Sequence, residues 1–164
     1  MPLDESSPDT VLPSLAFTAV DSLLVLCYLQ ASPTDADWDV WIAREKRMEH
    51  RGLLIWTDGG SPNARQRARV AAETDAGAQL RPPVALLTDS MAIRAIMTAF
   101  AWLLGSAQPM KAFPRAACDE AVMWLRVPAP PALVRSAVLR LNAALELVQK
   151  QGPASKAARG KNGR

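Results

Sequence analysis

Val84-Ala85-Leu86-Leu87-Thr88-Asp89-Ser90, followed by a nearly unbroken apolar run from Met91 to Leu104, decides the fold. An apolar stretch that stops at Thr-Asp-Ser reads as a buried strand ending in a turn. The run that follows is apolar on every side, with Arg94 and Thr98 its only strongly polar positions. That pattern predicts a helix enclosed by other elements. At about 14 residues it is too short to cross a bilayer, which takes roughly 20.

Working outward, the same alternation continues. Residues 15–20 and 23–29 are apolar runs separated by Asp21-Ser22, a β-hairpin pattern. Pro33-Thr34-Asp35 opens a helix to about residue 50, with Trp38, Trp41, Ile42 and Met48 on one face. Residues 53–57 form a third strand, ending at Asp58-Gly59-Gly60-Ser61-Pro62. Ser61 reads as the N-cap, and Pro62 as the first residue, of a helix to about residue 79. Its alanines, Ala64, Ala68, Ala71 and Ala72, would let it lie close against a sheet. Beyond the central helix come a loop at 105–109, a short strand at 110–113 and a helix bearing Ala117, Ala121, Trp124 and Leu125. Strands alternating with helices predict parallel pairing through right-handed crossovers. The expected fold class is α/β: a mixed, mostly parallel sheet with an N-terminal β-hairpin, flanking helices and an extra C-terminal helix.

The organisation expected along the 164 residues is a disordered segment at 1–13, a domain at 14–126, a Pro-rich linker at 127–131, an amphipathic helix at 132–150 and a basic disordered tail at 151–164. In that last helix Val134, Val138, Leu141, Leu145 and Val148 recur at spacings of four and three, widened by Leu133, Ala137, Ala144 and Leu147. Such a face needs a cover: its own sheet first, a second copy or another protein otherwise.

The pI near 9.2 belongs to the C-terminal bases Lys150, Lys156, Arg159, Lys161 and Arg164. The body is close to neutral, so no specific nucleic-acid surface is expected. Cys27 and Cys118 have no metal-ligand spacing and read as reduced structural thiols. An acidic, Pro-bearing N-terminus is unlike a signal peptide, so a cytoplasmic protein without a transmembrane segment is expected.

Open α/β sheets place ligands beyond the carboxyl ends of their parallel strands. Those ends carry Asp58 and Asp89, each followed by a serine, Ser61 and Ser90. Gly59-Gly60 and the helix N-termini would suit an anion, yet the same residue types also serve as caps and turns without any ligand. The single histidine, His50, sits at the far end of a helix and is expected to be exposed. That leaves no base for a nucleophile and no metal set. The expectation is therefore no enzyme, no metal and no cofactor. Arg94, one turn into an apolar helix, is expected to pair with a strand-end carboxylate or a bound anion.

Two segments resemble a known family. Thr88-Asp89-Ser90-Met91-Ala92-Ile93-Arg94-Ala95 is similar to the strand-end motif T-D-x-x-x-[IL]-R-A of the STAS-like family, relatives of the anti-anti-sigma factors. Lys111-Ala112-Phe113 and Glu120-Ala121-Val122-Met123-Trp124-Leu125 resemble its closing strand and helix. The resemblance covers about residues 14–126. It implies a bacterial, non-enzymatic regulatory or protein-interaction module. Its binding or phosphorylation residues would be Asp58, Gly59, Gly60, Ser61, Thr88, Asp89, Ser90 and Arg94. Ser61 lies in the loop where anti-anti-sigma factors are phosphorylated, although the order here is Asp58-Gly59-Gly60-Ser61 rather than D-x-S-G. The implied partners are another protein, a second copy through the C-terminal helix, or a small anion or lipid. The alternatives are a lipid- or small-ligand-binding protein and a degenerate response-regulator receiver. The receiver would use Asp58, Thr88 and Lys111, but lacks the acidic pair that holds Mg²⁺.

Overall fold

The computed structural model describes residues 7–75, 81–104 and 108–152. Expectations for residues 1–6, for the second helix beyond residue 75, for the loop at 105–107 and for the tail from 153 onward lie outside the described residues. Six strands form one mixed sheet in the order of the chain: β1 (Ser7–Val11), β2 (Ala16–Val20), β3 (Leu23–Tyr28), β4 (Gly52–Thr57), β5 (Val84–Leu87) and β6 (Met110–Phe113). The pairs β1–β2 and β2–β3 are antiparallel, and β3 to β6 are parallel. This is the expected α/β fold with its N-terminal hairpin.

β3 and β5 are apolar at every position because both of their faces are covered. Successive side chains alternate between two cores. On one face Leu24, Leu26, Leu53, Val84 and Leu86 meet α1 (Asp35–Glu45), α2 (Ala64–Asp75) and α3 (Met91–Leu104), through Trp38, Trp41, Ile42, Val70, Ile93 and Met97. On the other, Val25, Cys27, Leu54, Ala85 and Leu87 meet α4 (Cys118–Leu125) and α5 (Pro131–Gln151). The result is three layers, α/β/α. Both cysteines are buried free thiols, and burial pushes the Cys118 thiol up to about 11.

The structure corrects several expectations. Residues 7–11 are an edge strand, where Pro8 is tolerated because its missing N–H breaks no central ladder. β1 is held by pairing with β2 and by Arg140 of α5, whose Nε and Nη2 donate to Asp9 at 2.6 and 2.9 Å. α1 stops at Glu45, and His50 beyond it is half-buried, with Nδ1 3.2 Å from the Gly52 oxygen. Burial lowers the His50 pKa. α2 begins at Ala64, not at Pro62. The Asn63 side chain accepts from the Gln66 N–H, and the Gln66 side chain accepts from the Asn63 N–H, each at 2.9 Å, a reciprocal capping box. Ala64, Ala68 and Ala72 face outward, while buried Gln66 faces inward and donates to the Pro33 oxygen at 2.9 Å. α3 is not enclosed: Ile93 and Met97 are buried, but Met91 is 79% and Trp102 83% exposed.

α5 folds back in cis. Val134, Ala137, Val138, Leu141 and Leu145 are buried in the same core as β2, β3 and α4, whereas Leu133, Leu139, Leu147 and Val148 face outward. The helix therefore completes the core instead of hanging from a linker.

The Asp9–Arg140 clamp makes stability pH-dependent. Hydrogen bonding from Arg140 holds Asp9 below the usual carboxylate range. A carboxylate with a depressed folded pKa stabilises the fold above its unfolded value of about 3.9, and that contribution fades as pH falls through the folded value. Asp9→Asn is expected to lower stability at pH 7 by about 0.2–1 kcal/mol, with the gap closing below about pH 4. Urea unfolding of both proteins across that range checks it.

Candidate functional site

The carboxyl ends of β4, β5 and β6 meet at one edge of the sheet, and their loops are locked by short-range bonds. Thr57, which ends β4, is fully buried. Its hydroxyl lies 2.8 Å from the Gly60 oxygen, to which it donates, and accepts from the Gly59 N–H at 3.2 Å. Gly59 has φ of 125°, a conformation open to glycine. The Gly60 N–H donates to the Leu29 oxygen at 2.9 Å. A Cβ on Gly60 would stand 2.5 Å from the carbonyl oxygens of both Leu29 and Ala31. Both glycines thus serve the passage of this loop past the end of β3.

Arg115, just beyond β6, joins the two strand-end aspartates. Its Nη1 donates to Asp58 at 2.5 Å, its Nε to Asp89 at 2.7 Å and its backbone N–H to Asp89 at 3.0 Å. The guanidinium lies 5.4 Å from the Trp56 ring centroid, a cation–π distance. Hydrogen bonding from Arg115 holds Asp89 below the ordinary carboxylate range, and Asp89 in turn raises the arginine. With Arg94 also beside Asp89, two carboxylates face two guanidinium groups, and this edge is close to charge balance. Both strand-end carboxylates are thus engaged by Arg115, which ties the ends of β4 and β5 to the segment after β6.

The other expected residues fall around this bridge. Thr88 is buried, and its hydroxyl accepts from the Ser90 N–H at 3.2 Å. Ser90 caps α3 by accepting from the Ile93 N–H at 3.3 Å. Arg94 reaches Asp89 through the main-chain oxygen, at 3.3 Å, while the expected carboxylate pair is made by Arg115. Ser61 does not join the bridge; it lines a cavity between the sheet and α1–α3. Lys111 lies over the Phe113 ring, 4.9 Å from its centroid, while Asp58 is engaged by Arg115. Arg115 is a residue of this edge that the sequence reading does not single out. The available signal was its place one residue past Pro114 at a strand's carboxyl end, where an α/β sheet gathers functional side chains.

Among the described residues, no cluster of His, Cys, Asp and Glu could hold a metal ion, and no helix is long and apolar enough to cross a membrane. Architecture defines the class: a three-layer α/β domain on a six-stranded mixed sheet. No family model, curated protein or solved structure matches the chain.

Proposed function

We propose that this protein is a non-enzymatic regulatory module of the STAS-like kind, acting in the cytoplasm, that docks a partner protein through the outer face of α3. The observation that carries this reading is the exposure of Met91, Ala92, Ala95, Ile96, Ala99 and Trp102 on a helix apolar nearly all round. Such a helix is normally covered, and a contiguous apolar patch marks an interaction surface. Trp102 and Met91 are residue types that anchor interfaces.

Charge selects the occupant. Arg94 of α3 borders this face. A second copy would bring like charges together, whereas a partner with an acidic rim would complement them. Lys111 in the middle of edge strand β6 also discourages strand addition, which favours contact through the helix face. The Asp58–Arg115–Asp89 bridge lies where α3 begins.

Trp102→Asp is expected to weaken retention of the partner by about thirtyfold or more, the effect of losing an interface anchor worth about 2 kcal/mol. Its melting temperature should stay near that of the unaltered protein, since Trp102 lies outside the core. Leu139→Asp, on the exposed side of α5, is the control and should retain the partner. Quantitative co-purification with the three proteins checks this. Equal retention by Trp102→Asp, or equal loss by Leu139→Asp, would contradict the proposal.

A further inference from the structure

Between the sheet and α1–α3 lies an open cavity of about 140 Å³, its walls largely apolar. Leu26, Leu53 and Leu86 form its floor on the sheet, and Ile93 and Met97 of α3 line it from above. Its size is close to that of the roughly 150 Å³ apolar cavity known to admit a benzene ring. Two features distinguish it from a packing defect. Trp38, 4% exposed, lines the cavity, and its indole N–H has no hydrogen-bond acceptor among the described residues. A buried donor without an acceptor is costly, so a ligand oxygen placed there would remove a penalty that the free protein carries.

The second feature is charge. Arg67 and Arg81 both line the cavity. Arg67 donates to the main-chain oxygen of Pro62, which leaves its charge uncompensated by that bond. Arg81 has neither an ion pair nor a hydrogen bond with another described residue. Glu45 also lines the cavity and opposes them with a single negative charge. Two guanidinium groups against one carboxylate leave the lining positive, while the remainder is mostly hydrocarbon. That combination suits an apolar body carrying one negative charge.

We propose that the cavity binds a small amphiphilic carboxylic acid, a short fatty or aryl acid. Its hydrocarbon would lie against Leu26, Leu86 and Met97, and its carboxylate would meet Arg81. Ile96 belongs both to the cavity lining and to the outer face of α3, but Met91 and Trp102, on which the docking tests rest, do not line the cavity, so the two readings are tested separately.

The test uses the full chain and three probes of one length: octanoate and octylammonium below their micellar concentrations, and 1-octanol below its solubility limit. Binding is followed by amide and indole NMR shifts. Octanoate is expected to bind at least tenfold more tightly than octylammonium, with octanol between them, and to shift the Trp38 indole N–H signal. Arg81→Gln should remove the preference for octanoate over octanol while leaving octanol binding in place. Met97→Trp, which fills the cavity, should abolish binding of all three. Absence of octanoate binding, equal affinity for the three probes, an unchanged preference in Arg81→Gln, or binding that survives a folded Met97→Trp would each overturn the proposal. Retention of partner docking alongside any of these results would leave the α3 reading standing.

Discussion

Leu141→Ala is expected to lower the free energy of unfolding by about 2–5 kcal/mol, the range for emptying a well-packed leucine site. Leu141 is fully buried at the centre of the α5 stripe that runs from Val134 to Leu145, over β2, β3 and α4. The neighbouring Leu139 is 71% exposed on the opposite side. Leu139→Ala should therefore change stability by no more than about 0.5 kcal/mol. The same reasoning predicts that removing α5 altogether abolishes cooperative unfolding. It would uncover Ala16, Val20 and Val25 at once, and a domain of this size holds only about 5–15 kcal/mol in reserve. Urea denaturation of the two point variants and the truncated chain measures all three effects. Cooperative, near-normal unfolding of the truncated chain would show that residues 14–126 are sufficient after all.

Gly60→Ala is expected to destabilise by about 1–3 kcal/mol, as overpacking of a tight site does. The methyl group would sit 2.5 Å from two backbone carbonyl oxygens, and backbone cannot swing aside as the end of a side chain can. The loop must move, and the move would disturb the Thr57 hydroxyl bond to Gly60 and the seat of Asp58 under Arg115. Gly59→Ala tests a different cause. Nothing stands near its Cβ, so any loss there, about 1–3 kcal/mol, comes from forcing alanine to φ of 125°. Thermal unfolding of the two variants separates the two effects. Neutral behaviour of Gly60→Ala would mean that the loop has room to yield at the Leu29 and Ala31 carbonyl oxygens, against the 2.5 Å approach.

The contrast between what was legible and what was not follows the range of the interactions. The apolar runs of β2 to β5 were readable because a strand buried on both faces announces itself locally. The α5 stripe was readable for the same reason, and its helical spacing pointed to its own sheet as the first cover. Ser61-Pro62 and Asn63–Gln66 are both plausible helix starts by local chemistry. The second prevails because Gln66 also bonds to Pro33 and Asp35, more than 30 residues away. β1 looked disordered because acids and proline suggest it, and the arginine that holds Asp9 lies 131 residues further on. Arg115 was missed for a similar reason: its value lies in joining Asp58 and Asp89, which are distant in the chain. The all-round apolarity of α3 was visible, but sequence cannot distinguish cover supplied by the same chain from cover supplied by another.

A photo-reactive residue in place of Trp102 tests the central claim most directly, with one in place of Leu139 as the reference position. Irradiation of the full chain in its native cell should yield, at position 102, an adduct with one different polypeptide. That adduct should be absent at position 139 and lost when Met91→Glu is added. An adduct corresponding to two copies of this chain, or the same adducts from both positions, would contradict docking of a partner through α3.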